Sequence, residues 1–154
     1  MFVTESVDPQ LRLDAAFIGL HCSHVTRFGA ESWKFEFEGR TTLVVRCPWR
    51  ILANGRIALG NLDHEQQFGL PKPVDAKQEA ERLLIAPVAR VTLRAQTADL
   101  ILELEQGTSL EVFNSSSGCE GWECSSSGGL LAVAMGGGEL SVWITDTLLD
   151  SGRL

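Results

Sequence analysis

The sequence predicts a mainly β (α+β) fold: two antiparallel β-meanders, related by a pseudo-twofold, that form a sandwich or a partly open barrel with one linking helix at about 75–84. Three observations predict it. Apolar and charged residues alternate strictly in two runs, which is the period-2 signature of a half-buried strand. The two runs superpose at a separation of 67 residues. Between them lies one segment that combines helix-start chemistry with a helical apolar stripe.

The elements follow in order. A shorter helix is expected from Asp8-Pro9, with Pro9 at the first helical position, where its missing N–H breaks no helical bond, and Gly19 well beyond its end. The strand His24-Val25-Thr26-Arg27 leads to Trp33-Lys34-Phe35-Glu36-Phe37-Glu38, with aromatics on one face and charges on the other. Gly39 turns the chain into a strand carrying Leu43, Val45 and Cys47. Asn54-Gly55 is a type I′ turn signal, because both residues tolerate positive φ, so 49–52 and 56–59 form a hairpin. The segment from Gly60 to Val74, with Pro71 and Pro73, reads as a loop. Asp75 then caps the linking helix, with Gln78 placed to reach back to it. Ala76, Ala80, Leu83 and Leu84 form its apolar stripe, and Pro87 stops it.

The second half repeats the first. Arg90-Val91-Thr92-Leu93, the alternating run Leu100-Ile101-Leu102-Glu103-Leu104-Glu105, the turn at Gly107 and the strand with Leu110 and Val112 restate the meander. Trp33, Phe35, Phe37, Leu43 and Val45 map onto Leu100, Leu102, Leu104, Leu110 and Val112, while the preceding strand matches after a one-residue shift. This reads as an internal duplication of about 20–60 and 87–144 within a single domain, 1–154. Gly128-Gly129 joins 121–124 to 130–133, Gly136-Gly137-Gly138 is a tight turn, and Leu140-Ser141-Val142-Trp143-Ile144 is the last strand. The tail to Leu154 is expected to fray.

Composition narrows the function classes. A chain of 154 residues, 44% of them hydrophobic, has a core of its own and is not disordered. No apolar run approaches the roughly 20 residues a membrane-spanning helix needs. The segment Met1 to Ser6 lacks the basic-then-apolar order of a signal peptide, so a cytoplasmic location and no membrane partner are expected. The four cysteines are too sparse for a disulfide scaffold, and a Cys119–Cys124 bridge would need oxidising conditions. A net charge of −7 argues against nucleic acid. The charge is also uneven. Residues 22–60 carry six basic against three acidic side chains, and residues 89–139 carry two against seven. Such polarity would steer a basic partner to the second half, or let two copies pair head to tail.

No catalytic, cofactor or metal site is expected. His21 and His24 point to opposite faces of a strand, so they do not converge with Cys119 and Cys124 on a metal ion. Asp63-His64-Glu65 reads as polar loop without a nucleophile. The serine runs 115–117 and 125–127 lack the Gly-x-Ser-x-Gly context and read as flexible loop. Gly136-Gly137-Gly138 lacks the Lys-Ser/Thr of a phosphate loop. Tryptophan and arginine dominate the energetic centres of interfaces, so the expected partner-binding residues are Trp49, Arg50, Glu120, Trp122 and Glu123. Burial of both indoles would remove the anchors of such a face.

The second half carries a resemblance. Asp99-Leu100-Ile101-Leu102, Gly107, Leu110-Glu111-Val112, Glu120-Gly121-Trp122-Glu123 and the run from Met135-Gly136-Gly137-Gly138 to Trp143 resemble a family of small uncharacterised bacterial proteins. That family shows a Glu-x-Trp strand and a Gly-Gly turn near the carboxyl end, and the resemblance covers roughly residues 17–143. Cys119 stands where an aromatic residue is expected. Proteins of this kind resemble immunity-type proteins that neutralise toxins, and no catalytic residue carries over. The leading expectation is therefore a non-catalytic protein-binding domain of immunity type with a basic partner. A structural homo-oligomeric module, such as a homodimer, is the alternative, and a small enzyme ranks third.

Overall fold

In the computed structural model, which describes residues 2–3, 8–65 and 69–145, the alternating segments pair as antiparallel strands. The first half forms β1 (Phe2–Val3), α1 (Pro9–Phe17), β2 (Cys22–Phe28), β3 (Ser32–Phe37), β4 (Thr41–Val45), β5 (Trp49–Ala53) and β6 (Arg56–Gly60). After α2 (Ala76–Leu83) come β7 (Val88–Leu93), β8 (Leu100–Leu104), β9 (Thr108–Val112), β10 (Trp122–Ser126), β11 (Leu130–Ala134) and β12 (Leu140–Thr145). Among the described residues they build a seven-stranded sheet, β1-β12-β11-β10-β4-β3-β2, and a five-stranded sheet, β6-β5-β9-β8-β7. Neither sheet closes on itself, and the arrangement is that of a β sandwich rather than a barrel. From residue 146 onward, the expected frayed tail lies outside the described residues.

Each half lays a three-stranded meander in one sheet and sends its next strands into the other. The sheets are joined through this exchange, with β4 beside β10 in one and β9 beside β5 in the other. The registers repeat at the offset read from the sequence: Trp33 faces Val45 and Phe35 faces Leu43, just as Leu100 faces Val112 and Leu102 faces Leu110. Both β2 and β7 carry a bulge at the same place, between Cys22 and His24 and between Val88 and Arg90. Val25 faces Phe35 whereas Val91 faces Leu102, so the β7–β8 connection is one residue longer. That extra residue is the one-residue shift seen in the sequence.

The exchange places two tryptophans in corresponding positions. Trp122 faces Val45 across one junction, and Trp49 faces Val112 across the other. Both are core residues, 0% and 1% exposed. Trp122 donates its Nε1–H to the Ala98 carbonyl at 2.7 Å. Trp49 sits edge-on against Trp33 and Phe35, with ring centroids 5.2 Å apart in each pair, and its Nε1–H meets no acceptor among the described residues.

Two helices complete the fold, and the first, expected as the shorter, is the longer by one residue. Asp8 caps α1 by accepting the Gln10 N–H at 2.9 Å, with Pro9 in the first turn. Asp75 caps α2 by accepting the backbone N–H of Gln78, where the sequence suggested its side chain. Each helix seals a sheet edge contributed by the opposite half. On β7, the Gln10 side chain stands in for a missing strand, donating to the Val91 carbonyl at 2.7 Å and accepting from the Leu93 N–H at 3.0 Å. On β2, Glu81 of α2 accepts the Val25 N–H at 2.9 Å. The remaining long edge, β6, is bulged opposite Ile51–Leu52, and its Gly60 N–H is taken by Asp63. Edges blunted in this way do not template further strands. The Asn54-Gly55 turn has φ of 52° and 78°, the type I′ pattern expected. Gly138 ends the glycine turn at φ +104°, and a Cβ there would lie 1.8 Å from the Gln96 carbonyl oxygen. No helix among the described residues is long and apolar enough to cross a membrane.

Two outcomes follow from these contacts. Trp122→Phe strands a buried carbonyl as well as losing volume, whereas Trp49→Phe loses volume alone. In urea unfolding, Trp122→Phe should therefore cost about 1–3 kcal/mol more than Trp49→Phe. The Lys77 ammonium and the Val25 N–H hold the Glu81 carboxyl below its ordinary value of 4.5. A carboxyl depressed in the folded state adds stability that is complete above its unfolded value and is lost as pH falls through the folded one. Glu81→Gln should flatten the stability profile below about pH 4.5 and speed hydrogen exchange at the Val25 amide.

Candidate functional site

Of the residues expected to meet a partner, the two tryptophans are drawn into the core and Arg50 and Glu123 are held in ion pairs at the surface. Trp49 and Trp122 lie in the core, which removes the two anchors. Arg50 sends its Nε–H to Glu111 at 2.6 Å and stacks its guanidinium over Phe113 at 5.2 Å. Glu123 pairs with Arg46 at 3.3 Å. Glu120 alone of the five remains exposed without a partner among the described residues. The same two ion pairs use part of the opposite charge of the two halves. At each junction an arginine of the first half meets a glutamate of the second within one molecule, so these charges are not left for a second copy.

The remaining candidates separate as well. Cys22, Cys47 and Cys124 are buried, and burial pushes each thiol up to about 12. Cys119 is exposed, and all four cysteines are free, so Cys119 and Cys124 form no bridge. His21 points its Nδ1 at Glu38, 3.5 Å away on the surface. The Asp63-His64-Glu65 triplet splits. Asp63 holds the Gly60 N–H, and the His64 imidazole packs edge-on against Trp33 at 5.4 Å. Glu65 lies 3.6 Å from His64 Nε2. Among the described residues no three His, Cys, Asp or Glu side chains come together as a metal site.

A candidate site lies elsewhere, in a cleft of about 420 Å³ between α1 and the seven-stranded sheet. Leu13, Ala16 and Phe17 turn the inner face of α1 to the core, which leaves Arg12, Ala15 and Ile18, at three-residue spacing, on the side that lines the cleft. Arg40 and Thr41 enter from the β3–β4 turn, and Ser126, Ser127 and Gly128 from the β10–β11 turn. Leu20, Leu130 and Ile144 supply apolar wall. The walls are tied together. The buried Thr41 hydroxyl donates to the Ala16 carbonyl at 2.5 Å, and the Ser127 N–H donates to the Arg40 carbonyl at 2.7 Å. Ser126 Oγ accepts the Leu130 N–H at 3.3 Å, and its own proton meets no acceptor among the described residues.

The electrostatics of this cleft are one-sided. Arg12 and Arg40 hold no carboxylate among the described residues, and no acidic residue lines the cleft. Arg46, Arg50, Arg82, Arg90 and Arg94 each pair with a carboxylate, and Arg27 and Arg56, which likewise have none among the described residues, lie away from this cleft. Sequence reasoning passed over both arginines, because each is unremarkable locally and only the packing of α1 on the sheet unites them. It also read 125–127 as flexible loop, whereas Ser126 ends β10 and Ser127 opens the turn after it.

A family described as a family of unknown function (DUF6188) matches residues 20–144. No curated protein and no solved structure matches the chain. The matched range contains Arg40, Ser126 and Ser127, and begins after Arg12. The thiols give a direct check on the described geometry. A thiol reagent at pH 8 should modify Cys119 alone in the folded protein and all four cysteines after denaturation.

Proposed function

We propose that this chain, which belongs to the DUF6188 family of unknown function, is a non-catalytic binding domain that takes an anionic ligand in the cleft between α1 and the seven-stranded sheet. One observation carries this reading. In a chain of net charge −7, Arg12 and Arg40 both lack a carboxylate partner among the described residues and both line the same cleft, which has no acidic residue. Guanidinium forks beside hydroxyl donors are the groups that hold oxyanions. The non-catalytic part of the reading is supported by the three buried thiols, which stay protonated at neutral pH. Free thiols are also in keeping with a reducing, cytoplasmic location.

A basic protein partner, and with it the immunity-type role, has Glu120 alone of the expected docking residues to meet. A head-to-tail homo-oligomer loses the charges already used by Arg46–Glu123 and Arg50–Glu111. We also infer an internal duplication of 20–60 and 87–144, from the registers that the two meanders share.

Thermal unfolding in inorganic phosphate, against sodium chloride of equal ionic strength, tests the anion site. Phosphate stabilises most proteins through exclusion from their surface, and a double Arg12→Ala, Arg40→Ala variant shares that part. The wild-type chain should gain a further, saturable rise in Tm, worth about 2.7 kcal/mol at a hundredfold excess over Kd. Equal shifts in the two proteins would sink the proposal.

A further inference from the structure

Resting on that anion-binding reading, the geometry points to the ligand class: a phosphate monoester with a small apolar body. The donors approach from three elements. Arg12 comes from α1, Arg40 from the β3–β4 turn, and Ser126 and Ser127 from the β10–β11 turn. A planar carboxylate offers its lone pairs in one plane, whereas a tetrahedral phosphate presents oxygens in three directions. Two guanidiniums also balance the charge of about −1.5 to −2 that a phosphate monoester carries at neutral pH.

The rest of the cleft has a different chemistry. Thr41 has already given its proton to the Ala16 carbonyl, so it adds no donor. Ala15, Ile18, Leu20, Leu130 and Ile144 form apolar wall beside the cationic rim. A volume of about 420 Å³ lies within the range of small-molecule sites and exceeds what a bare phosphate fills. Ile18 is 46% exposed and lines the cleft, where the apolar part of a ligand would cover it. The cationic rim therefore takes the phosphate, and the apolar wall takes the group esterified to it.

Calorimetric titration of the full chain with inorganic phosphate, phenyl phosphate and benzoate tests the class. Phenyl phosphate should bind at least tenfold tighter than either of the others. Arg40→Ala should weaken both phosphates tenfold or more. Ile18→Ser changes a half-exposed side chain and leaves the core intact. It should remove most of the phenyl advantage while inorganic phosphate binds as before, and circular dichroism confirms that each variant is folded. Inorganic and phenyl phosphate binding alike would overturn the ligand class and leave the anion site standing, as would benzoate binding as tightly as phenyl phosphate. Failure of all three to bind would remove both. A lipid presents the same chemistry as a soluble ester, so cosedimentation with phosphatidate vesicles separates the sources. Pelleting that Arg40→Ala abolishes assigns the phosphate to a membrane surface, and no pelleting assigns it to a soluble ester.

Discussion

The structure depends on one constraint: neither half can complete a sheet from its own strands. The β2-β3-β4 meander stays open at β4 until β10 pairs with it, and β7-β8-β9 stays open at β9 until β5 does. The junctions are where the large side chains concentrate. Placing Trp49 opposite Val112 and Trp122 opposite Val45 puts each indole at the seam between halves, in the centre of the sandwich. The pairs Arg46–Glu123 and Arg50–Glu111 lie on the outer surface of the same seams. Exposed pairs of this kind contribute roughly 0–1 kcal/mol each, so burial at the junction holds the halves together and the charges favour the correct register.

Exchange also settles what the helices do. A sandwich of open sheets has long edges, and such edges invite further strands. Helix α1 precedes the meander of the seven-stranded sheet yet seals β7 of the other sheet. Helix α2 precedes β7 yet seals β2. A side-chain amide from Gln10 and a carboxylate from Glu81 satisfy backbone groups that a neighbouring strand would otherwise take. The cleft is a by-product of this geometry. Where α1 leans from β7 toward the β3–β4 and β10–β11 turns, its unburied side and the two turns enclose space that no core residue fills.

Local order was legible in the sequence because it is written in short-range patterns. The alternation in Trp33–Phe37 and Leu100–Leu104, the positive-φ pair Asn54-Gly55, the helix start at Asp8-Pro9 and the cap Asp75 each act within a few residues, and each appears where its pattern placed it. The exchange was not legible, since hydrophobic periodicity says which face of a strand is buried and not which strand lies beside it. That gap also hid the burial of Trp49 and Trp122. A tryptophan flanked by charges looks like an interface anchor whether its neighbours point to solvent or across a seam. Arg12 and Arg40, 28 positions apart, carry no signal until α1 is packed.

The junctions also bear on how the protein is made. Val45 and Trp122 are neighbours in the sheet but 77 residues apart in the chain. A ribosome delivers the amino-terminal meander long before the strand that closes it. During that interval β4 displays an unpaired edge beside an apolar face, with Leu43 and Val45 uncovered, and contacts of such long sequence separation form slowly. Synthesis of this chain therefore includes a period of exposure to off-pathway strand pairing, whose length is set by the distance from β4 to β10 rather than by the stability of the finished sandwich.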